Sequence, residues 1–160
     1  MKEIHGKKVM LKEATEKDIH ETKVTKAEYH REWSDEGILP EVPSALIIEA
    51  DQQLIGYVGA YWIDKNTNWL ETGIVIYDSD YWNGGYGSEA YKLWIDYLFE
   101  ATTLHRVGMS TWSGNDRMIK VAQKLGMKEE ARIRRAREVD NRYYDAVKMG
   151  ILREEWDGGS

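Results

Sequence analysis

The 160-residue chain has no cysteine, two prolines and a single phenylalanine. Without cysteine there is no disulfide framework, no thiolate nucleophile and no thiolate-ligated metal. A reducing, cytoplasmic compartment is the default. No apolar run approaches a membrane span, and the N-terminal MKEIHGKKVMLKEA lacks the apolar core of a signal peptide. Positive charge is also in deficit, 22 Lys and Arg against 28 Asp and Glu for a net −6. That balance argues against DNA as a partner and suits a cationic substrate such as an amine. The four histidines, His5, His20, His30 and His105, lie far apart without ligand spacing, so no metal site is expected. What the chain has instead of phenylalanine is seven tryptophans and ten tyrosines, amphipathic rings suited to a cleft or an interface. Its length fits one domain, expected over 1–156 with a flexible tail at 157–160.

The most informative segment is Trp69 to Ala90, WLETGIVIYDSDYWNGGYGSEA. Leu70 to Tyr77 is apolar and rich in β-branched residues, the composition of a buried strand. Asp78-Ser79-Asp80 breaks it. Gly84, Gly85 and Gly87 then precede a helical pattern in which Ala90, Leu93, Trp94, Tyr97 and Leu98 share a face. A glycine-rich loop opening a helix presents unpaired N–H groups at the positive end of the helix dipole, a place that holds phosphate. An anion site, of the kind that takes a diphosphate cofactor, follows; the plainer alternative is a flexible lead-in to the helix.

Around this segment the chain reads in order as follows. Lys8 to Lys12 is a short strand, and Thr15 with Asp18 makes a capping-box start to a helix running through about Trp33. Ser34 to Pro43 holds both prolines and is a loop. Ala45 to Ala50 and Leu54 to Trp62 are antiparallel strands joined at Asp51-Gln52-Gln53, and Gly56 and Gly59 weaken the second unless something packs close against it. A turn at Asp64-Lys65-Asn66 leads to the strand from Trp69. Arg106 to Trp112 is a strand able to lie parallel to it across the central helix. Asn115 caps a short helix with Met118, Val121, Ala122 and Leu125 on one face, ended by Gly126. Lys128 to Val139 and Tyr143 to Arg153 form a final hairpin turning at Asp140-Asn141. The fold class is mixed α/β.

With Glu71, the glycine loop, Asn115 and Lys124-Leu125-Gly126-Met127 in place, the chain resembles the GNAT superfamily of acetyl-CoA-dependent N-acetyltransferases. It looks most like the branch of ribosomal-protein-alanine N-acetyltransferases of the RimJ and RimL type. Trp82 to Gly87 (WNGGYG) fits the family loop Q/R-x-x-G-x-G/A except at its first position, and NDRMIKVAQKLGM fits N-x-x-S-x-x-x-A-x-K-L-G-F. The resemblance implies a central, mostly antiparallel sheet of about seven strands, splayed between the Trp69–Tyr77 and Arg106–Trp112 strands, with about four helices. It implies that the backbone of Ile74, Val75, Ile76 and Tyr77 pairs with the pantetheine arm of acetyl-CoA. Trp82, Asn83, Gly84, Gly85, Tyr86, Gly87 and Ser88 would wrap the pyrophosphate, and Asn115 would bond the pantetheine. Gly84 stands where the branch often carries Lys or Arg, which implies a weaker cofactor grip.

Acetyl transfer needs a neutral amine nucleophile, a polarised thioester carbonyl and a departing thiolate. Glu71 occupies the position of the family's usual glutamate and is the expected general base; the bland alternative is a solvent-facing strand glutamate in a salt bridge. Many relatives carry a tyrosine acid in the Asn115 helix, but Ala122 holds that place and Met118 replaces the serine of others. Solvent or Tyr144 is left to protonate the leaving group. Trp33, Trp62 and Trp112 are candidates to shape an amine pocket through cation–π contacts. The run Arg132, Arg134, Arg135, Arg137 either meets an acidic partner or pairs with Glu129, Glu130 and Glu138. The acceptor is a protein N-terminus or a small amine, and a homodimer is possible.

Two other readings compete. Gly85 to Ala90 satisfies the dinucleotide-binding pattern G-x-G-x-x-A, but the loop is too long after the strand and no acidic residue ends the next one. A non-catalytic acyl-CoA-binding module is favoured by the missing tyrosine and opposed by Glu71.

Overall fold

Strand formation follows the β-branched and alternating segments. The computed structural model describes residues 2–15, Asp18 and residues 38–158. Its strands are β1 (Glu3–His5), β2 (Met10–Lys12), β3 (Ala45–Ala50), β4 (Gln53–Asp64), β5 (Trp69–Ile76), β6 (Arg106–Trp112), β7 (Lys128–Val139) and β8 (Arg142–Leu152). They are hydrogen-bonded in the order β1-β2-β3-β4-β5-β6-β8-β7. Among the described residues that is eight strands rather than about seven. The addition is β1, whose three residues are too short to show a period and which forms by pairing antiparallel with β2. Among the described residues there are three α-helices, fewer than the four or so expected: α1 (Tyr86–Ala101), α2 (Asp116–Lys124) and α3 (Arg153–Gly158). Helix α3 takes in Asp157 and Gly158, where a tail was expected.

The helix expected from Thr15 to about Trp33 lies outside the described residues, and so does Trp33. Its start is visible. The Thr15 backbone N–H donates to Asp18 at 2.9 Å while the Asp18 N–H donates to the Thr15 hydroxyl at 3.1 Å, the reciprocal bonding of a capping box.

By its internal packing the chain divides into two units, Met1–Trp62 with Gly73–Thr103, and Ile63–Thr72 with Leu104–Ser160. In the first, β1 to β4 pair antiparallel in sequence order. Asp51 and Gln52 turn β3 into β4 with φ of +50° and +62°, the double positive φ of a tight hairpin. A Cβ at Gly56 would overlap the Val75 carbonyl, so this glycine is the point of close backbone approach that its place inside a strand suggests. Helix α1 buries Ala90, Tyr91, Trp94, Ile95, Leu98 and Phe99. The buried stripe is therefore rotated from the expected one, taking in Tyr91, Ile95 and Phe99 and leaving Leu93 and Tyr97 half-exposed. Leu11, Leu46, Ile48, Ile55 and Val58 complete this core.

In the second unit β5 and β6 run parallel with two registered pairs, Glu71↔Gly108 and Thr72↔Met109. Strand β8 pairs antiparallel with β6 along its length and with β7 on its other side. The hairpin turns at Asp140 and Asn141, where it was expected, again with both φ positive. Asn115 caps α2 by accepting the Met118 N–H at 3.3 Å, and Gly126 ends it at φ +94°. Leu70, Val107, Met109, Met127, Val147, Met149 and Ile151 form the core here.

Candidate active site

The second unit contains a buried carboxylate. Residues alternate faces along a strand, so Gly108, Ser110 and Trp112 of β6 share one face. Glu71 of β5 stands opposite Gly108, and its Cγ lies 3.6 Å from where a Cβ at Gly108 would be. The glutamate packs at van der Waals distance from this position and reaches across β6. Its carboxylate, on a side chain 4% exposed, ends against Ser110 and Lys148. The Ser110 hydroxyl donates to Glu71 Oε1 at 2.6 Å, and Lys148 Nζ donates to Glu71 Oε2 at 3.0 Å and to Ser110 Oγ at 2.9 Å. Ser110 and Lys148 are themselves a registered pair across β6 and β8. Glu71 is thus in a salt bridge, as the bland alternative supposed, but it is buried rather than solvent-facing.

Trp112 and Tyr144 meet nearby in sequence and space, edge to face with ring centroids 4.8 Å apart. Ala122 on α2 is fully buried, so that helix offers no hydroxyl at this position. Arginine pairing in the hairpin follows the structural reading for Arg132, which bonds Glu129 at 2.8 Å and Asp145 at 3.1 Å, while Glu130 pairs with Arg106 instead. The Arg135 backbone N–H, and then the Arg132 guanidinium, hold the Asp145 carboxyl below the usual carboxylate range.

The first unit contains the glycine loop. Asp78 caps a single 3-10 turn, Ser79–Tyr81, and the chain enters α1 through Gly84 and Gly85, both left-handed at φ +92° and +86°. That conformation, cheap only for glycine, turns the backbone at the mouth of the helix. Lys8 reaches this point from the β1–β2 connection: its ammonium donates to the Gly84 carbonyl, lies 3.9 Å from where a Cβ at Gly85 would be, and sits 5.4 Å from the Tyr86 ring centroid. Glu89 in the first turn fixes that connection by accepting the Lys8 and Val9 N–H groups at 2.7 and 2.8 Å. Left-handed glycines, a helix N-terminus and an ammonium make a donor set that suits a pyrophosphate.

Other expected ligand groups in this unit are partly committed. The Tyr77 N–H donates to the Ile55 carbonyl at 3.1 Å, and the Trp82 indole donates to the Ile76 carbonyl at 2.6 Å. The Tyr77 phenol, bonded to the Leu54 carbonyl at 3.1 Å, is pushed up to about 12 by burial and the Asp78 charge. Trp62 is half-buried and bonds the Ile38 carbonyl at 3.2 Å.

Sequence reasoning missed Lys8, Gly108, Ser110 and Lys148. Only Gly108 carried a signal, a glycine inside an otherwise regular strand; the others join the site across 39 to 77 positions of sequence. Among the described residues no cluster of three or more His, Cys, Asp or Glu is placed to hold a metal, and no helix is long and apolar enough to cross a membrane.

Residues 6–128 match the model of the acetyltransferase (GNAT) domain. The chain is 22% identical over 127 residues to the SPbeta prophage-derived uncharacterized N-acetyltransferase YokL of Bacillus subtilis (strain 168), covering 79% of this chain and 71% of that protein. It is 30% identical over 113 residues to the uncharacterized N-acetyltransferase YnaD of the same organism, covering 70% of this chain and 65%, just under two thirds, of that protein. In fold it is similar to a GNAT-family acetyltransferase from Bacillus anthracis, with TM-score 0.73, 20% identity and coverage of 96% and 100%. The ribosomal-protein-alanine N-acetyltransferase from Brucella melitensis gives TM-score 0.70 at 18% identity, covering 89% and 98%. The dodecameric spermidine N-acetyltransferase from Vibrio cholerae gives 0.65 at 23%, covering 72% and 68%.

Proposed function

Since this chain belongs to the GNAT acetyltransferase family, we propose that it is an acetyl-CoA-dependent N-acetyltransferase acting on a primary amine, with Glu71 as general base. The observation that carries this reading is the buried Glu71 carboxylate held by Ser110 and Lys148. A surface glutamate kept only for solubility has no need of such a setting. Direct attack within a ternary complex is the reading adopted, because the chain has no cysteine to carry an acetyl group. Residues 1–156 act as one domain in this account, in the cytoplasm.

Acetyl-CoA supplies the activated acetyl group and a thiolate leaving group; the protein orients it and manages the amine's proton. The loop from Trp82 to Ser88, with Lys8, binds the pyrophosphate. Lys8 restores the positive charge that Gly84 lacks relative to the branch. Ile74 to Tyr77 and Asn115 receive the pantetheine, though the committed Tyr77 N–H and Ile76 carbonyl leave fewer backbone groups for it. Trp62, Trp112 and Tyr144 are the proposed amine-contacting rings. A protein N-terminus is the favoured acceptor, following the RimJ/RimL-like motifs and the similarity to the Brucella protein; a polyamine follows the Vibrio one. A second copy of the chain is the proposed assembly partner.

The test is thiol release from acetyl-CoA over a panel of spermidine, an alanine-starting peptide and free amino acids, with no protein thiol to obscure the signal. Release that depends on an amine supports an enzyme; none with any amine supports the non-catalytic acyl-CoA-binding module. Lys8→Ala is expected to weaken acetyl-CoA binding about tenfold, the loss of one charge-assisted contact. Turnover at saturating acetyl-CoA should stay unchanged, as a KM-against-kcat split will show.

A further inference from the structure

Glu71 is the proposed base, yet its carboxylate is buried and each oxygen carries a partner, Ser110 on Oε1 and Lys148 on Oε2. An amine approaching from solvent meets Ser110 and Lys148, whose side chains are exposed and 37% exposed, before it meets the carboxylate. A hydroxyl has one proton to donate and two lone pairs to accept with. The Ser110 proton points at Glu71 at 2.6 Å, and Lys148 takes one lone pair at 2.9 Å. The second lone pair is suited to an N–H donor. The cluster is thus polarised in one direction, from an incoming N–H through Ser110 to Glu71.

We propose that Ser110 is a catalytic residue that relays the acceptor amine's proton to Glu71, and that Lys148 is the positioning residue that holds the relay together. The inference rests on the acetyltransferase reading above. As the amine nitrogen bonds to the acetyl carbon, its proton passes to Ser110 Oγ while the Ser110 proton passes to Glu71 Oε1. The carbon–sulfur bond then breaks, and the thiolate leaves with its electron pair. Glu71 returns its proton to solvent. Lys148 bonds both acceptors at once, so it sets their separation. Among the described residues, Arg106 on β6 lies beside Gly108 and is paired with Glu130 on β7.

The experiment compares Glu71→Gln, Ser110→Ala, Ser110→Thr, Lys148→Met and the double variant Glu71→Gln/Ser110→Ala, each checked for folding by thermal melting. The acceptor is whichever amine of the panel above is turned over fastest. Ser110→Ala should lose turnover to within about threefold of Glu71→Gln, and the double variant should be no slower than Glu71→Gln alone, because members of one relay are not additive. Ser110→Thr, which keeps the hydroxyl, should restore turnover to within about threefold of the parent. Lys148→Met should lower kcat about tenfold while the KM for acetyl-CoA stays at the parental value, because the lost contact sets the geometry of the relay and not cofactor binding. Near-parental turnover in Ser110→Ala beside an inactive Glu71→Gln would overturn the relay and leave the base in place, as would additive losses in the double variant. A parental kcat in Lys148→Met, or a loss confined to KM, would overturn the positioning role. A fully active Glu71→Gln, or no turnover of any panel amine by the parent, would overturn the underlying reading itself.

Discussion

Replacing Glu71 by glutamine is expected to lower turnover at least tenfold, and about 10²-fold on the range for losing a general base, while acetyl-CoA affinity should stay at the parental value. Glutamine preserves the shape of the side chain, and its amide oxygen still accepts from Lys148. What it lacks is a carboxylate able to take a proton. The loss corresponds to about 2.7 kcal/mol of transition-state stabilisation. It should appear in kcat rather than KM, because the carboxylate matters when the attacking amine gives up its proton. Steady-state thiol release measures kcat and calorimetry the affinity. Unchanged turnover would remove Glu71 from the chemistry and return it to a structural salt bridge with Lys148.

The second large effect is on stability. Trp94→Ala should cost about 4 kcal/mol, the middle of the range for emptying a large aromatic site. Trp94 is fully buried on α1, its ring stacks on Tyr97 at 5.9 Å, and its indole N–H donates to the Gly59 carbonyl at 2.9 Å. The alanine leaves both a cavity and an unsatisfied carbonyl inside the first unit. For a chain of this length the loss should lower the melting temperature by about 10 °C, read by circular dichroism. Trp94→Phe, which refills most of the volume but not the hydrogen bond, should fall between. A fall of less than about 3 °C in Trp94→Ala would mean that this helix is not anchored through its tryptophan.

Sequence pattern reached furthest where local chemistry decides the structure. Asn115 capping α2, Gly126 ending it, and paired positive φ at Asp140 and Asn141 are properties of a few adjacent residues, and each stands where the sequence puts it. Strand β6 was legible to the residue, Arg106–Trp112. Strand β1 was not, since three residues carry no period and its partner is what makes it a strand. The face of α1 was only partly legible: Leu93 and Tyr97 lie at helical spacing with Trp94, but tertiary packing rotates the buried stripe toward Tyr91, Ile95 and Phe99. The site shows the same division. Glu71 and the glycine loop were picked out by motif as candidates, whereas Ser110, Lys148 and Lys8 reach them through sheet register and the β1–β2 connection, which no local pattern encodes.

The central claim is that acetyl-CoA is the cosubstrate. A calorimetric titration of the full chain with acetyl-CoA, with NADH as the control ligand, tests it most directly. Saturable, micromolar binding of acetyl-CoA and silence with NADH are expected. Binding of NADH with no response to acetyl-CoA, or silence with both, would contradict it.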